Sequence, residues 1–196
     1  MRSGTATALG AVAVVVAGCG GGTRQDASEP SGTFNVKVTH ASFPAQQRLA
    51  LQARMIVEVK NIDTKTIPDV AITVDPGFTT RSTRTDLADP NRPVWIVDVG
   101  PVGGITATTN TWALGPLAPG QSRRFVWKVT PVVAGARQVH FRIAAGLNGK
   151  AKAQAANGNI PEGTFAVDVS SKPAQATVDP TTGKVIDSNS STAGGG

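Results

Sequence analysis

Hydrophobic residues in this chain recur with a period of two. Phe34, Val36 and Val38 alternate with Asn35, Lys37 and Thr39, and Ala53, Met55, Val57 and Val59 alternate with Arg54, Glu58 and Lys60, Ile56 alone breaking the polar side. Such alternation turns one side of an extended segment to a core and the other to water. Val70, Ile72 and Val74 repeat it, residues 94–99 are apolar on both sides apart from Asp98, and Phe125/Trp127/Val129, Val139/Phe141/Ile143 and Phe165/Val167/Val169 complete the set. His40 extends the inward parity of Val38, whereas His140 shares the outward parity of Gln138 and Arg142. Seven to eight short strands, with no helical period long enough to cover a sheet, predict an all-β fold: an immunoglobulin-like antiparallel β-sandwich with disordered ends.

Two turns are legible. Leu117-Ala118-Pro119-Gly120 carries a Pro-Gly pair, and Asn148-Gly149 is the type I′ signal for a hairpin between 139–147 and 150–155. The segment 76–110 fits the alternation least well; it predicts an excursion from the sandwich, with 94–99 as a strand and Gly100-Pro101-Val102-Gly103-Gly104 as a loop.

The ends read differently. Arg2 is followed by an apolar stretch from Ala6 to Val16, interrupted only by Thr7 and Gly10, and then by Val16-Ala17-Gly18-Cys19. This resembles the lipobox of bacterial lipoproteins, which implies cleavage between Gly18 and Cys19 and acylation of the Cys19 thiol. A spanning helix needs about 20 apolar residues, more than this run supplies, and Gly20-Gly21-Gly22 follows where a basic stop-transfer cluster would stand. The organisation expected is a signal peptide at 1–18, an acylated Cys19 with a flexible tether at 19–32, a sandwich at 33–171 and a disordered tail at 172–196. A weak hairpin is expected within that tail around Asp179-Pro180-Thr181-Thr182-Gly183. The location expected is the extracytoplasmic side of the bacterial membrane, held by the lipid. Cys19 is the sole cysteine, so no intramolecular disulfide is available.

Charge adds one clue. The formal net charge is +6, and residues 99–161 contain no Asp or Glu but seven cations: Arg123, Arg124, Lys128, Arg137, Arg142, Lys150 and Lys152. Arg124 and Lys128 share outward parity on one strand, and Arg142 shares it with His140 on another. Arg124, Lys128, Arg142, Lys150 and Lys152 therefore form a candidate face for an anionic envelope polymer or partner protein. Nucleic acid is a poor partner outside the cytoplasm, and interleaved exposed aromatics are missing.

Val57-Glu58-Val59-Lys60-Asn61 followed by the 67–74 strand, and Leu117-Ala118-Pro119-Gly120 followed by Phe125-Val126-Trp127-Lys128-Val129, resemble the surface domain called cell-adhesion-related domain found in bacteria. The match spans about residues 33–170 with a gap in the middle, and its motifs are turn chemistry. Asp63 stands where that family commonly has Gly. The resemblance implies an adhesive or structural module without catalysis.

Other chemistry finds little support. The two histidines lie on remote strands with no second ligand at metal spacing, no Ser sits in a Gly-x-Ser-x-Gly elbow, and Gly100–Gly104 lacks the Lys-Ser/Thr pair of a phosphate loop. No metal or cofactor is expected. Asp86, Asp89 and Asn91 lack the Gly and distal Glu of a calcium loop and read as Asx-capped turns. Three functions are weighed in order: a non-catalytic, membrane-anchored Ig-like binding, adhesion or structural module; a small-ligand-binding or substrate-presenting lipoprotein in which the 76–110 excursion and Trp95 or Trp112 form a pocket; and a hydrolase.

Overall fold

The computed structural model describes residues 29–75, 78–80, 93–108, 110–172 and 176–187. The alternating segments become β1 (Gly32–Ser42), β2 (Gln46–Arg48), β3 (Ala53–Asn61), β4 (Ala71–Asp75), β5 (Phe78–Thr80), β6 (Trp95–Val99), β7 (Ile105–Thr108), β8 (Thr111–Ala113), β9 (Ser122–Pro131), β10 (Gly135–Ala144), β11 (Ala151–Gln154), β12 (Glu162–Ser170), β13 (Ala176–Val178) and β14 (Val185–Asp187). The first sheet has the order β11-β1-β3-β9-β6-β5 and the second β2-β12-β10-β4-β8-β7. Their inner faces enclose one core, so the domain is an Ig-like β-sandwich. No helix among the described residues is long and apolar enough to cross a membrane.

Period-two patterning fills that core. Met55, Val57, Val59, Phe125, Trp127 and Val129 come from the first sheet, and Ile72, Val74, Val139, Phe141, Ile143, Val167 and Val169 from the second; all are buried. The aromatic rings form a chain through the interior. Phe43 packs on Phe78 and Trp95, Phe78 on Trp127, and Trp127 edge-on to Trp112 with centroids 5.5 Å apart. A polar bond joins the sheets within this apolar setting: the Trp95 indole N–H donates to Gln47 Oε1 at 2.7 Å, and Gln47 Nε2 donates to the Pro44 carbonyl at 3.0 Å.

Several expectations are corrected. The pairing is not purely antiparallel, because β1–β11, β2–β12 and β5–β6 run parallel. Asn148-Gly149 does not close a hairpin. Gly149 has φ 79° but Asn148 has no positive φ, so the type I′ geometry is missing, and the turn carries the chain from the second sheet to the first. Because β11 enters at the end where β1 begins, it runs parallel to it, Gly32 facing Ala151. The described parts of 76–110 are not an excursion: β5 and β6 extend the first sheet and β7 the second. His40 is exposed, since a bulge between Val38 and His40 inserts one residue and flips the parity beyond it.

The Pro119-Gly120 turn is as expected, with Gln121 N–H donating to the Ala118 carbonyl at 3.1 Å and Gly120 at φ 73°. Within the segment expected to be a disordered tail, β13 and β14 form the hairpin. Asp179 caps its turn by accepting from the Thr181 N–H at 2.8 Å.

Candidate functional site

The anionic-partner residues fall on strands of both sheets. Arg124 and Lys128 lie on β9 and Lys152 on β11, all in the first sheet, while Arg142 lies on β10 in the second. Outward residues of different sheets point away from each other, so the five do not form one face. Acidic partners also arrive from strands outside the acid-free segment. Arg124 meets Glu58 of β3 at 2.6 Å, and Arg142 lies 3.6 Å from Glu162 of β12. The guanidinium of Arg124 and the hydroxyl of Thr39 hold the Glu58 carboxyl below its ordinary range.

Register builds a different basic surface on the first sheet. Across β1–β3, Lys37 stands opposite Lys60; across β3–β9, Arg54 stands opposite Lys128 and Glu58 opposite Arg124; across β1–β11, Thr33 stands opposite Lys152. Lys37, Lys60, Arg54, Lys128 and Lys152 are all exposed. Among the described residues, no carboxylate lies within ion-pair distance of these five cations. Asp98, at the far side, accepts from Thr130 at 2.7 Å and Gln52 at 3.0 Å. The outward side of the second sheet is mixed, setting Asp75, Glu162 and Asp168 against Arg48 and Arg142.

Like charges directly opposite across antiparallel strands destabilise a sheet by a few tenths to about 1 kcal/mol. Two such pairs on one face are a cost without a folding benefit. Lys37, Arg54 and Lys60 carried a signal in sequence, their outward parity. What joins them to Lys128 is the pairing of β1, β3 and β9, which the acid-free segment does not reveal.

The end of the sandwich where β1 begins is organised by three polar side chains. Asn61, fully buried, donates to the carbonyls of Lys65 and Leu117 at 2.9 and 2.8 Å and accepts from the Asp63 N–H at 2.9 Å. Asp63 accepts from the Asn35, Thr64 and Lys65 backbone amides. The first of these contacts does most to hold its carboxyl below the ordinary range. Burial pushes the Asp69 carboxyl up, and the nearby Glu29 charge adds to this, against a bond from the Gly115 N–H at 2.9 Å.

Lys150 is exposed just before β11, and its carbonyl accepts from the Gly32 N–H at 3.0 Å. His140 is exposed, with Nδ1 2.8 Å from Thr164 Oγ1. Trp95 and Trp112, which the second reading set in a pocket, are core residues among the described residues, 0% and 3% exposed. Gly18, Cys19, Asp86, Asp89 and Asn91 lie outside the described residues. No group of His, Cys, Asp and Glu with metal-binding spacing occurs among the described residues.

No family model and no curated protein matches the chain. Among solved structures, the CARDB domain of a Pyrococcus furiosus protein, crystallised in complex with di-metal ions, is 17% identical over 71% of this chain and 93% of that one, with a TM-score of 0.42. Its solution structure gives 17% identity, the same 71% of this chain, 94% of that one and a TM-score of 0.41. The region of Escherichia coli alpha-2-macroglobulin from domain MG7 to the C-terminus is 13% identical over 77% of this chain and 21% of that one, at 0.43. The sandwich itself rests on the strand order and core described above.

Proposed function

We propose that this chain is a lipid-anchored, non-catalytic binding module of a bacterial envelope, and that the outward face of its first sheet holds an anionic envelope polymer. The observation that carries the reading is the set Lys37, Arg54, Lys60, Lys128 and Lys152 on one face, with two like-charged pairs directly opposed. A polymer bearing phosphate or carboxylate groups along its length would relieve that repulsion at several positions at once. The anchor rests on Val16-Ala17-Gly18-Cys19 after the apolar run. Two acyl signals give stable attachment where one is marginal.

Two experiments test the halves separately. Cys19→Ala should abolish incorporation of labelled fatty acid; equal labelling of both chains would remove the anchor. Binding of the purified chain to isolated anionic envelope polymer should fall steeply with added salt, because exposed charges are screened over about 8 Å at physiological ionic strength. Binding indifferent to salt, or absent at low salt, would remove the partner.

A further inference from the structure

The turn between β10 and β11 holds a carboxylate. The Leu147 N–H lies 2.7 and 2.9 Å from the two carboxylate oxygens of Glu29, and the Asn148 N–H donates to Oε2 at 3.1 Å. Consecutive backbone amides converging on one anion form a nest. Gly146 makes the space: a Cβ there would stand 2.5 Å from Glu29 Oε2 and 2.9 Å from the Ala151 Cβ. Residue 29 therefore does not belong to a free tether. It is the chain's own occupant of an anion site.

Two further features adjoin that nest. β11 is the outermost strand of the first sheet. The Gly32 N–H bond to the Lys150 carbonyl sets the ladder so that this carbonyl and the backbone groups of Lys152 and Gln154 face β1, which turns those of Ala151 and Ala153 to the edge that no other described strand pairs. Beside that edge lies a cavity of about 450 Å3, lined by Gly146, Ile143, Ala151, Ala153, Lys152 and Ile160 among others. Nest, strand edge and apolar cavity share Gly146 and Ala151.

We infer that this site receives the carboxy-terminus of a polypeptide ending in an apolar residue, and that Glu29 occupies it in cis. The terminal carboxylate would take the Leu147 and Asn148 amides. Because the nest precedes β11, the residues before that carboxylate would run antiparallel to β11, pairing with the backbone of Ala151 and Ala153, while the last side chain enters the cavity. Strand addition supplies the affinity in such a mode, and carboxylate capture sets the register. Glu29, attached through a few residues to β1, competes at the millimolar effective concentration typical of a short link.

The test uses the full chain in mild detergent, its Glu29→Ala and Glu29→Gln variants, and a dansylated six-residue peptide ending in valine, as free acid and as C-terminal amide. The free acid should bind Glu29→Ala at least about tenfold more tightly than wild type, with Glu29→Gln between them. The amide should bind none of them, and the Leu147 and Asn148 amide resonances should shift. Equal binding of acid and amide would overturn the proposal. So would absent binding to either variant that still unfolds cooperatively, and laurate binding as tightly as the peptide would overturn the assignment to a polypeptide.

Discussion

Replacing Asn61 by Ala removes two donated bonds and one accepted bond from a fully buried side chain that ties β3 to the 62–66 turn and to Leu117. A hydrogen bond contributes about 0.5–1.5 kcal/mol net, so three give a loss of about 1.5–4.5 kcal/mol. The lower part of that range is expected. The Leu117 carbonyl keeps its bond from the Ile67 N–H at 3.0 Å, and Lys65 is exposed enough for water to reach its carbonyl. Asn61→Asp should cost more than Ala at neutral pH, since an ionised carboxylate would face two carbonyl oxygens. The gap should narrow in acid, where the protonated form can donate one bond. Urea unfolding followed by tryptophan fluorescence at pH 7 and pH 4 measures both. An Ala variant within about 0.5 kcal/mol of wild type would refute the reasoning, as would an Asp variant no less stable than Ala at neutral pH.

Asp69→Asn should stabilise the domain at neutral pH, because the amide keeps an acceptor for the Gly115 N–H and removes a buried charge beside Glu29. The raised folded-state pKa means that the Asp69 contribution to stability is lost as pH climbs from the ordinary Asp range through that raised value, so the urea midpoint of the variant should gain on that of wild type across that range; a difference independent of pH would refute it. Trp95→Phe and Gln47→Leu should each cost about 1–3 kcal/mol by stranding the other's buried polar group, and the double variant should cost less than their sum. Additive losses would deny the cross-sheet bond its role. A segment spanning 29–187 should fold alone by circular dichroism, with strand and little helix, and should unfold at higher urea than one spanning 32–187, which lacks the Glu29 contact. Coincident midpoints would leave that contact without weight.

Most of the sandwich was legible because alternation is a local property: β1, β3, β9, β10 and β12 each announce their buried side within a few residues. What failed depended on partners remote in sequence. The Asn148-Gly149 signal was sound as turn chemistry, but a turn does not disclose which strand receives the one after it, and here β11 crosses to β1. Parity likewise assigned Arg124, Lys128 and Arg142 to outward positions without revealing that β9 and β10 sit in opposite sheets. His40 was misplaced by a single inserted residue, which no periodicity reports in advance. Glu29 left no trace, since a carboxylate in a polar run looks the same whether solvated or held by backbone amides.

The opposing faces offer the most direct test of the anionic-partner reading. Lys37, Arg54, Lys60, Lys128 and Lys152 replaced together by Gln would remove the unpaired cations of the first sheet's outward side, and Arg48 with Arg142 replaced by Gln would remove the cations of the second. Binding to isolated anionic envelope polymer at low salt, measured for both variants and wild type, should fall at least about tenfold for the first and stay within about twofold for the second, as expected when charge concentrated on one face governs association. Equal losses in the two variants, or full binding by the first, would contradict it.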